Sequence, residues 1–112
     1  MKNPIAFLRL IALLTVLIPA GARGDDTVIE LRFENRSFTP QTITVPANQS
    51  LILRITNASK EAIEFESFEL NRERVVPPGS SITVYLPSLN PGTYHFFDDL
   101  HHDVGQGTLT AK

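Results

Sequence analysis

From Thr27 to the C-terminus, apolar and polar residues alternate at a period of two, broken every few positions by Pro, Gly, Asn and Ser. Successive side chains of a strand point to opposite faces, so this pattern predicts short strands with one buried face each. Thr27–Phe33 would turn Ile29, Leu31 and Phe33 inward, and Val28, Glu30 and Arg32 outward. After a turn at Glu34–Ser37, Phe38-Thr39-Pro40 leads into a strand over Thr42–Val45, and Pro46–Gln49 turns again. Leu51, Leu53 and Ile55 make the next apolar face, and Asn57–Lys60 ends that strand. Ile63–Leu70 reads as extended, Arg72–Val76 follows, and Pro77-Pro78-Gly79-Ser80 is a strong turn. Ile82, Val84 and Leu86 alternate inward, Tyr94–Asp98 forms the penultimate strand, and Thr108–Lys112 pairs as the last. Outside the N-terminal leader, no helical period persists beyond one turn. The expected fold is all-β, a Greek-key β-sandwich of seven to eight strands.

The N-terminus departs from this rhythm. Ile5–Ile18 is an apolar run interrupted by Arg9 and preceded by Lys2, too short and broken for a comfortable membrane span. Ala20-Gly21-Ala22 places small residues where a signal peptidase reads them. Residues 1–22 are therefore expected to be a signal peptide, cut after Ala22, and residues 23–112 a single domain; the competing reading is an uncleaved anchor. Removing the leader lowers ten basic residues to eight against twelve acids, a net charge of −4. An acidic surface without Lys/Arg clusters argues against nucleic-acid binding and suits a protein that attracts cations. The chain has no cysteine, which excludes disulfides, thiolate catalysis and thiolate metal sites.

Candidate chemistry gathers near the C-terminus, where Tyr94–Asp98 runs into a loop carrying Asp98, Asp99, His101, His102 and Asp103 and closes on Gly105-Gln106-Gly107. Tyr94 and Phe96 need burial, so Asp98 shares their inward side, while His95, Phe97 and Asp99 face the other way. An inward carboxylate costs several kcal/mol if left unpaired, and so needs a cation or hydrogen-bond donors. His101 lies close enough along the loop to converge on the same point. Carboxylate with imidazole suits Cu(II), Fe(II/III), Mn(II) or Zn(II), and favours the higher oxidation state. Glu64 and Glu66 are two apart on one strand face and are further candidates, although Ile63 and Phe65 hold the buried parity and would turn them outward. The alternatives stay open: an Asp98–His101 hydrogen-bonded loop staple, solvated glutamates or salt bridges to Arg72 and Arg74, and a surface patch at Asp99, His102 and Asp103. No nucleophile elbow surrounds Ser80, Ser81 or Ser88, which leaves a hydrolase without support.

These residues resemble the cupredoxins. Phe38-Thr39-Pro40, Ile43-Thr44-Val45-Pro46-Ala47-Asn48-Gln49, Leu53-Arg54-Ile55-Thr56-Asn57 and Pro91-Gly92-Thr93-Tyr94-His95-Phe96 follow the order and spacing of that family. In its blue-copper loop a cysteine, a histidine and a methionine bind copper; Asp98, His101 and Gln106 fall on those positions here. An upstream ligand histidine normally sits in a His-x-Phe context, and here that stretch reads Ala62-Ile63-Glu64-Phe65. The block from Glu64-Phe65-Glu66-Ser67 to Val75-Val76-Pro77-Pro78-Gly79 is similar to periplasmic cupredoxin-like proteins of bacterial iron-uptake systems, the EfeO-type cupredoxin domain and the FtrB-like proteins. That resemblance implies a periplasmic protein binding copper and/or iron; the candidate metal ligands are Glu64, Glu66, Asp98, Asp99, His101, His102 and Gln106. It implies a role in ferrous iron oxidation or delivery beside a periplasmic iron-binding protein and an inner-membrane iron permease. An enzyme in its own right is not required. An exposed sheet edge would permit a homodimer. The alternative function is a metal-free β-sandwich interaction module.

Overall fold

Strand alternation is realised almost residue for residue in the computed structural model, which describes residues 27–112; the expected leader and its cleavage site lie outside the described residues. Among the described residues nine strands form: β1 (Thr27–Glu34), β2 (Ser37–Thr39), β3 (Thr42–Val45), β4 (Leu51–Asn57), β5 (Ile63–Ser67), β6 (Arg72–Val76), β7 (Ser81–Leu86), β8 (Gly92–Asp98) and β9 (Gln106–Ala111). The short β2, read from sequence as a lead-in, pairs antiparallel with β1 through Phe33↔Phe38. Two mixed sheets result, ordered β2-β1-β4-β7 and β3-β9-β8-β5-β6. β1 runs parallel to β4 and β3 parallel to β9; the other pairs are antiparallel.

The inner faces meet in one core. Leu31, Phe33, Leu53, Ile55 and Val84 come from the first sheet, Ile43, Phe65, Phe96 and Leu109 from the second, and all are buried. Toward one end this core turns aromatic: Phe38 packs edge-on against Phe33 and Phe96, with ring centroids 5.0 and 5.2 Å apart, and Phe65 lies 5.4 Å from Phe96. Each such pair adds about 0.5–1.5 kcal/mol beyond the area it buries. Gly107 makes this packing feasible, because a Cβ there would collide with the Phe96 ring and sit 2.7 Å from the Gln41 carbonyl oxygen.

One expected strand is shorter than the sequence suggested. β5 ends at Ser67, and residues 68–71 turn instead of extending to Leu70. Ser67 Oγ accepts the Leu70 amide at 3.1 Å, Phe68 O accepts the Asn71 amide at 3.1 Å, and Asn71 takes a left-handed φ of 57°. Asparagine tolerates that conformation, and this turn brings β6 back along β5 with Glu73 opposite Glu66.

Candidate functional site

At the aromatic end of the sandwich, parity carries Asp98 inward behind Phe96, and its side chain is completely buried. Its carboxylate is fully engaged. Oδ1 accepts the backbone amides of Glu64 at 2.9 Å and Leu100 at 3.0 Å, and Oδ2 meets His101 Nδ1 at 2.5 Å. His101 Nε2 reaches Glu61 Oε1 at 2.9 Å. The hydrogen bond to Asp98 holds the His101 pKa above the ordinary histidine range, against desolvation, and Glu61 adds to that rise. His101, lying between two carboxylates, is thus the group placed to offset charge at the buried Asp98. The loop around it is tight: Asp98 N donates to Gly105 O at 2.7 Å, and a Cβ on Gly105 would sit 2.7 Å from that of Asp98.

Glu61 is held in reach by Asn57, a buried side chain at the end of β4. Asn57 Nδ2 donates to the carbonyls of Glu61 and Val76 at 2.8 and 2.9 Å, while Oδ1 accepts Ser59 N and Oγ at 2.9 and 2.6 Å. The loop from Ala58 to Ala62 therefore has one shape. Glu61 lies 40 residues from His101 and was not anticipated from the sequence; the strand-ending asparagine was the available signal. Two positions before Phe65, where the resemblance expects an upstream histidine, stands Ile63, apolar and buried. Gln106 Nε2 donates to His102 O at 2.7 Å. The residues on the blue-copper positions therefore do not fit a copper ion of that kind: Asp98 and His101 bind each other, and Ile63 has no donor atom.

A second cluster lies on the outer face of the β3-β9-β8-β5-β6 sheet. Glu64 and Glu66 alternate outward from β5, against Ile63, Phe65 and Ser67 inward. The β5–β6 register sets Glu73 opposite Glu66. Asp99 follows at the end of β8, where its amide donates to Glu64 O at 2.8 Å. One oxygen from each of Glu64, Glu66, Glu73 and Asp99 lies within 4.8 Å of the others. That spread is about twice a metal–oxygen bond of roughly 2.0–2.4 Å, so one cation could touch all four. His102 Nε2 contacts Asp99 Oδ1 at 2.7 Å and completes the rim.

The electrostatics of this face are unbalanced. Desolvation, followed by the neighbouring Glu73 and Asp99 carboxyls, pushes the Glu64 pKa up to about 6. Glu66 is raised by desolvation and then by Glu73 and Asp99, with His102 opposing. Arg72 and Arg74 do not neutralise the cluster: they donate to Tyr85 O at 2.9 Å and Thr83 O at 3.3 Å, on the neighbouring edge strand β7. Of the sequence candidates, Glu64, Glu66, Asp99 and His102 come together here, while Asp98 and His101 sit apart in their own pair. Glu73 is the member that sequence reasoning missed, since its place depends on the 68–71 turn. His95, also outward, pairs with Glu69 at 2.7 Å, and this contact holds the Glu69 pKa low.

Known proteins agree with this architecture. The Cupredoxin-like domain family matches residues 6–111. An uncharacterised protein of Rickettsia prowazekii (strain Madrid E) is 38% identical over 92 residues, covering 80% of this chain and 74% of the relative. Among solved structures, dithionite-reduced auracyanin from Roseiflexus castenholzii superposes with a TM-score of 0.66 at 18% identity, covering 78% of this chain and 98% of that one. The metal-binding domain of the Cu(I)-exporting P-type ATPase CopA of Streptococcus pneumoniae, solved with Cu(I), gives 0.68 at 13% identity, covering 76% and 84%. At these identities the structural likeness speaks to the fold, and with the family match it places this chain in the cupredoxin-like domain family.

Proposed function

We propose that this protein is an exported, periplasmic metal-binding cupredoxin whose cargo is a hard copper or iron ion, held on the outer sheet face by Glu64, Glu66, Glu73 and Asp99 with His102 alongside. The observation that carries this reading is the convergence of four carboxylate oxygens within 4.8 Å, with Glu64 pushed up to about 6 by desolvation and by the neighbouring Glu73 and Asp99 carboxyls. The copper held by solved relatives favours a metal role, but the donor set favours a different ion. The Streptococcus domain was solved with Cu(I), whereas this chain has no cysteine and its single methionine is Met1. Carboxylates with a histidine alongside suit Cu(II) or Fe(III) better than Cu(I). Preferring ferric over ferrous iron, they would hold the oxidised ion more tightly than the reduced one. Resemblance to iron-uptake cupredoxins supports delivery of that ion through a periplasmic iron-binding protein to an inner-membrane iron permease.

Calorimetric titration with Cu(II), and with Fe(III) presented as a citrate complex, tests this. The wild type should bind one equivalent, and Glu64→Gln combined with Glu73→Gln should weaken binding by about 10–100-fold or more. His101→Gln should leave it nearly unchanged. Absence of binding tighter than about millimolar would reject the proposal, and loss confined to the His101 variant would move the ion to the sandwich tip.

A further inference from the structure

Beside the carboxylates stands Phe68, 74% exposed. It does not hang on a loose loop. The 68–71 turn is closed by two hydrogen bonds and the left-handed Asn71, and the buried Leu70 anchors it to the core. Phe68 stacks edge-on over Phe97 at 5.5 Å, and Phe97 in turn meets the His102 ring at 5.7 Å. Depressions flank it on both sides, one of about 310 Å³ bounded by Phe97, Asp99 and His102, the other of about 220 Å³ bounded by Glu66 and Glu73. Glu66, Glu73 and Asp99 thus border a fixed aromatic ledge.

We infer that this ledge is a docking surface for a partner protein that presents a basic side chain next to an apolar one. The apolar group would cover Phe68 and Phe97, and the cation would enter the carboxylate face. Charge decides the choice of partner. The two histidines nearby already face Asp99 and Glu69, and the two arginines of β6 are turned onto β7 carbonyls. That leaves Glu64, Glu66 and Glu73 facing outward, where a lysine or arginine is favoured and an acidic partner repelled. An aromatic wall beside carboxylates also suits a guanidinium, which gains from ring faces as well as from charge. Rigidity of the turn lowers the ordering cost of contact. This surface rests on rings and charge, so it goes beyond the metal reading; where a metal binds, the two cations compete for the same oxygens. Such competition is reciprocal, so a docked partner would weaken metal binding by the factor by which metal weakens docking. Arrival of the partner would release the ion.

Isotope-labelled protein titrated with the capped peptide Leu-Arg-Leu-Arg-Leu, and separately with Leu-Glu-Leu-Glu-Leu, tests the inference by NMR. The basic peptide should shift the amides of Phe68, Phe97, Glu66 and Glu73, and the acidic one should not. Phe68→Ser should weaken the basic peptide by at least about tenfold while leaving Cu(II) affinity within about twofold. Tyr85→Ser, which removes an exposed ring on β7, should do neither. Saturating basic peptide should lower Cu(II) affinity. Equal binding of both peptides, unchanged binding to the Phe68 variant, or shifts centred elsewhere would each overturn the docking surface. Peptide binding at Phe68 in a protein that takes up no Cu(II) would support the surface and reject the metal reading, so the two failures are separable.

Discussion

Replacing Asp98 with alanine probes the sandwich tip most directly. The change removes a buried carboxylate that accepts two backbone amides and faces an imidazolium at 2.5 Å. Hydrogen bonds to a charged acceptor contribute about 1.5–3 kcal/mol each, and orphaned buried donors carry a further penalty. His101 is 22% exposed, so water can replace part of what is lost. Removing one partner of a buried ion pair typically costs about 3–5 kcal/mol, and that is the expected loss. For a domain with about 5–10 kcal/mol of total stability, it is a large share, about 15–30 °C in Tm. Urea unfolding followed by circular dichroism measures it, with the slope checked for constancy. The pH dependence supplies a second, independent signature. The folded pKa of His101 is raised, so its stabilising contribution is complete below the unfolded value of about 6.5 and is lost as pH rises through the folded value. Wild-type stability should therefore fall as pH rises above about 6.5 and through the folded value, and the Asp98→Ala profile should be flatter. A loss below about 1 kcal/mol, or an unaltered pH slope, would refute the assignment of His101 as the counter-ion of Asp98.

Other outcomes follow from the same geometry. Gly107→Ala should drive a Cβ into the Phe96 ring and toward Gln41 O, costing about 1–3 kcal/mol by urea unfolding; an unchanged midpoint would contradict the packing described. Glu64→Gln should stabilise the metal-free protein at pH 7.5, yet leave it unaffected near pH 4. Its folded pKa is raised to about 6, so the contribution present below the unfolded value of 4.5 is lost as pH rises through 6, and thermal melts at both pH values check the sign. Arg72→Ala with Arg74→Ala should uncover the Thr83 and Tyr85 carbonyls on the edge of β7, and light scattering at rising concentration should detect strand-edge self-association absent from the wild type.

Alternation alone reached far into this structure. Needing Tyr94 and Phe96 inside put Asp98 inside with them, as found, whereas Ile63 and Phe65 on one parity and Phe68 and Leu70 on the other left the direction of Glu64 and Glu66 open until the end of β5 at Ser67 resolved it outward. What the pattern could not carry was pairing between strands. Glu73 joins Glu66 only because the 68–71 turn sets the β5–β6 register, and turn shape depends on a single left-handed asparagine. Glu61 meets His101 only because four hydrogen bonds around Asn57 shape a loop that has no periodicity to read. Arg72 and Arg74 looked equally able to pair with the glutamates; strand parity on β6 turns them to β7 instead. The Asp98–His101 staple was one reading open from the sequence, whereas the surface patch read there, Asp99, His102 and Asp103, differs from the Glu64, Glu66, Glu73 and Asp99 cluster that strand pairing assembles.

The Asp98–His101–Glu61 line has a consequence for traffic through the protein. Many small metal proteins become ordered only when loaded, so that giving up the ion means giving up the fold. Here the chain brings its own positive charge to the loop that closes the sandwich, and the carboxylates that could receive cargo stand on a sheet whose strands are already paired. With the proposed ion bound on that face, loading and release would need no folding step, and exchange would be governed by competing ligands and by pH.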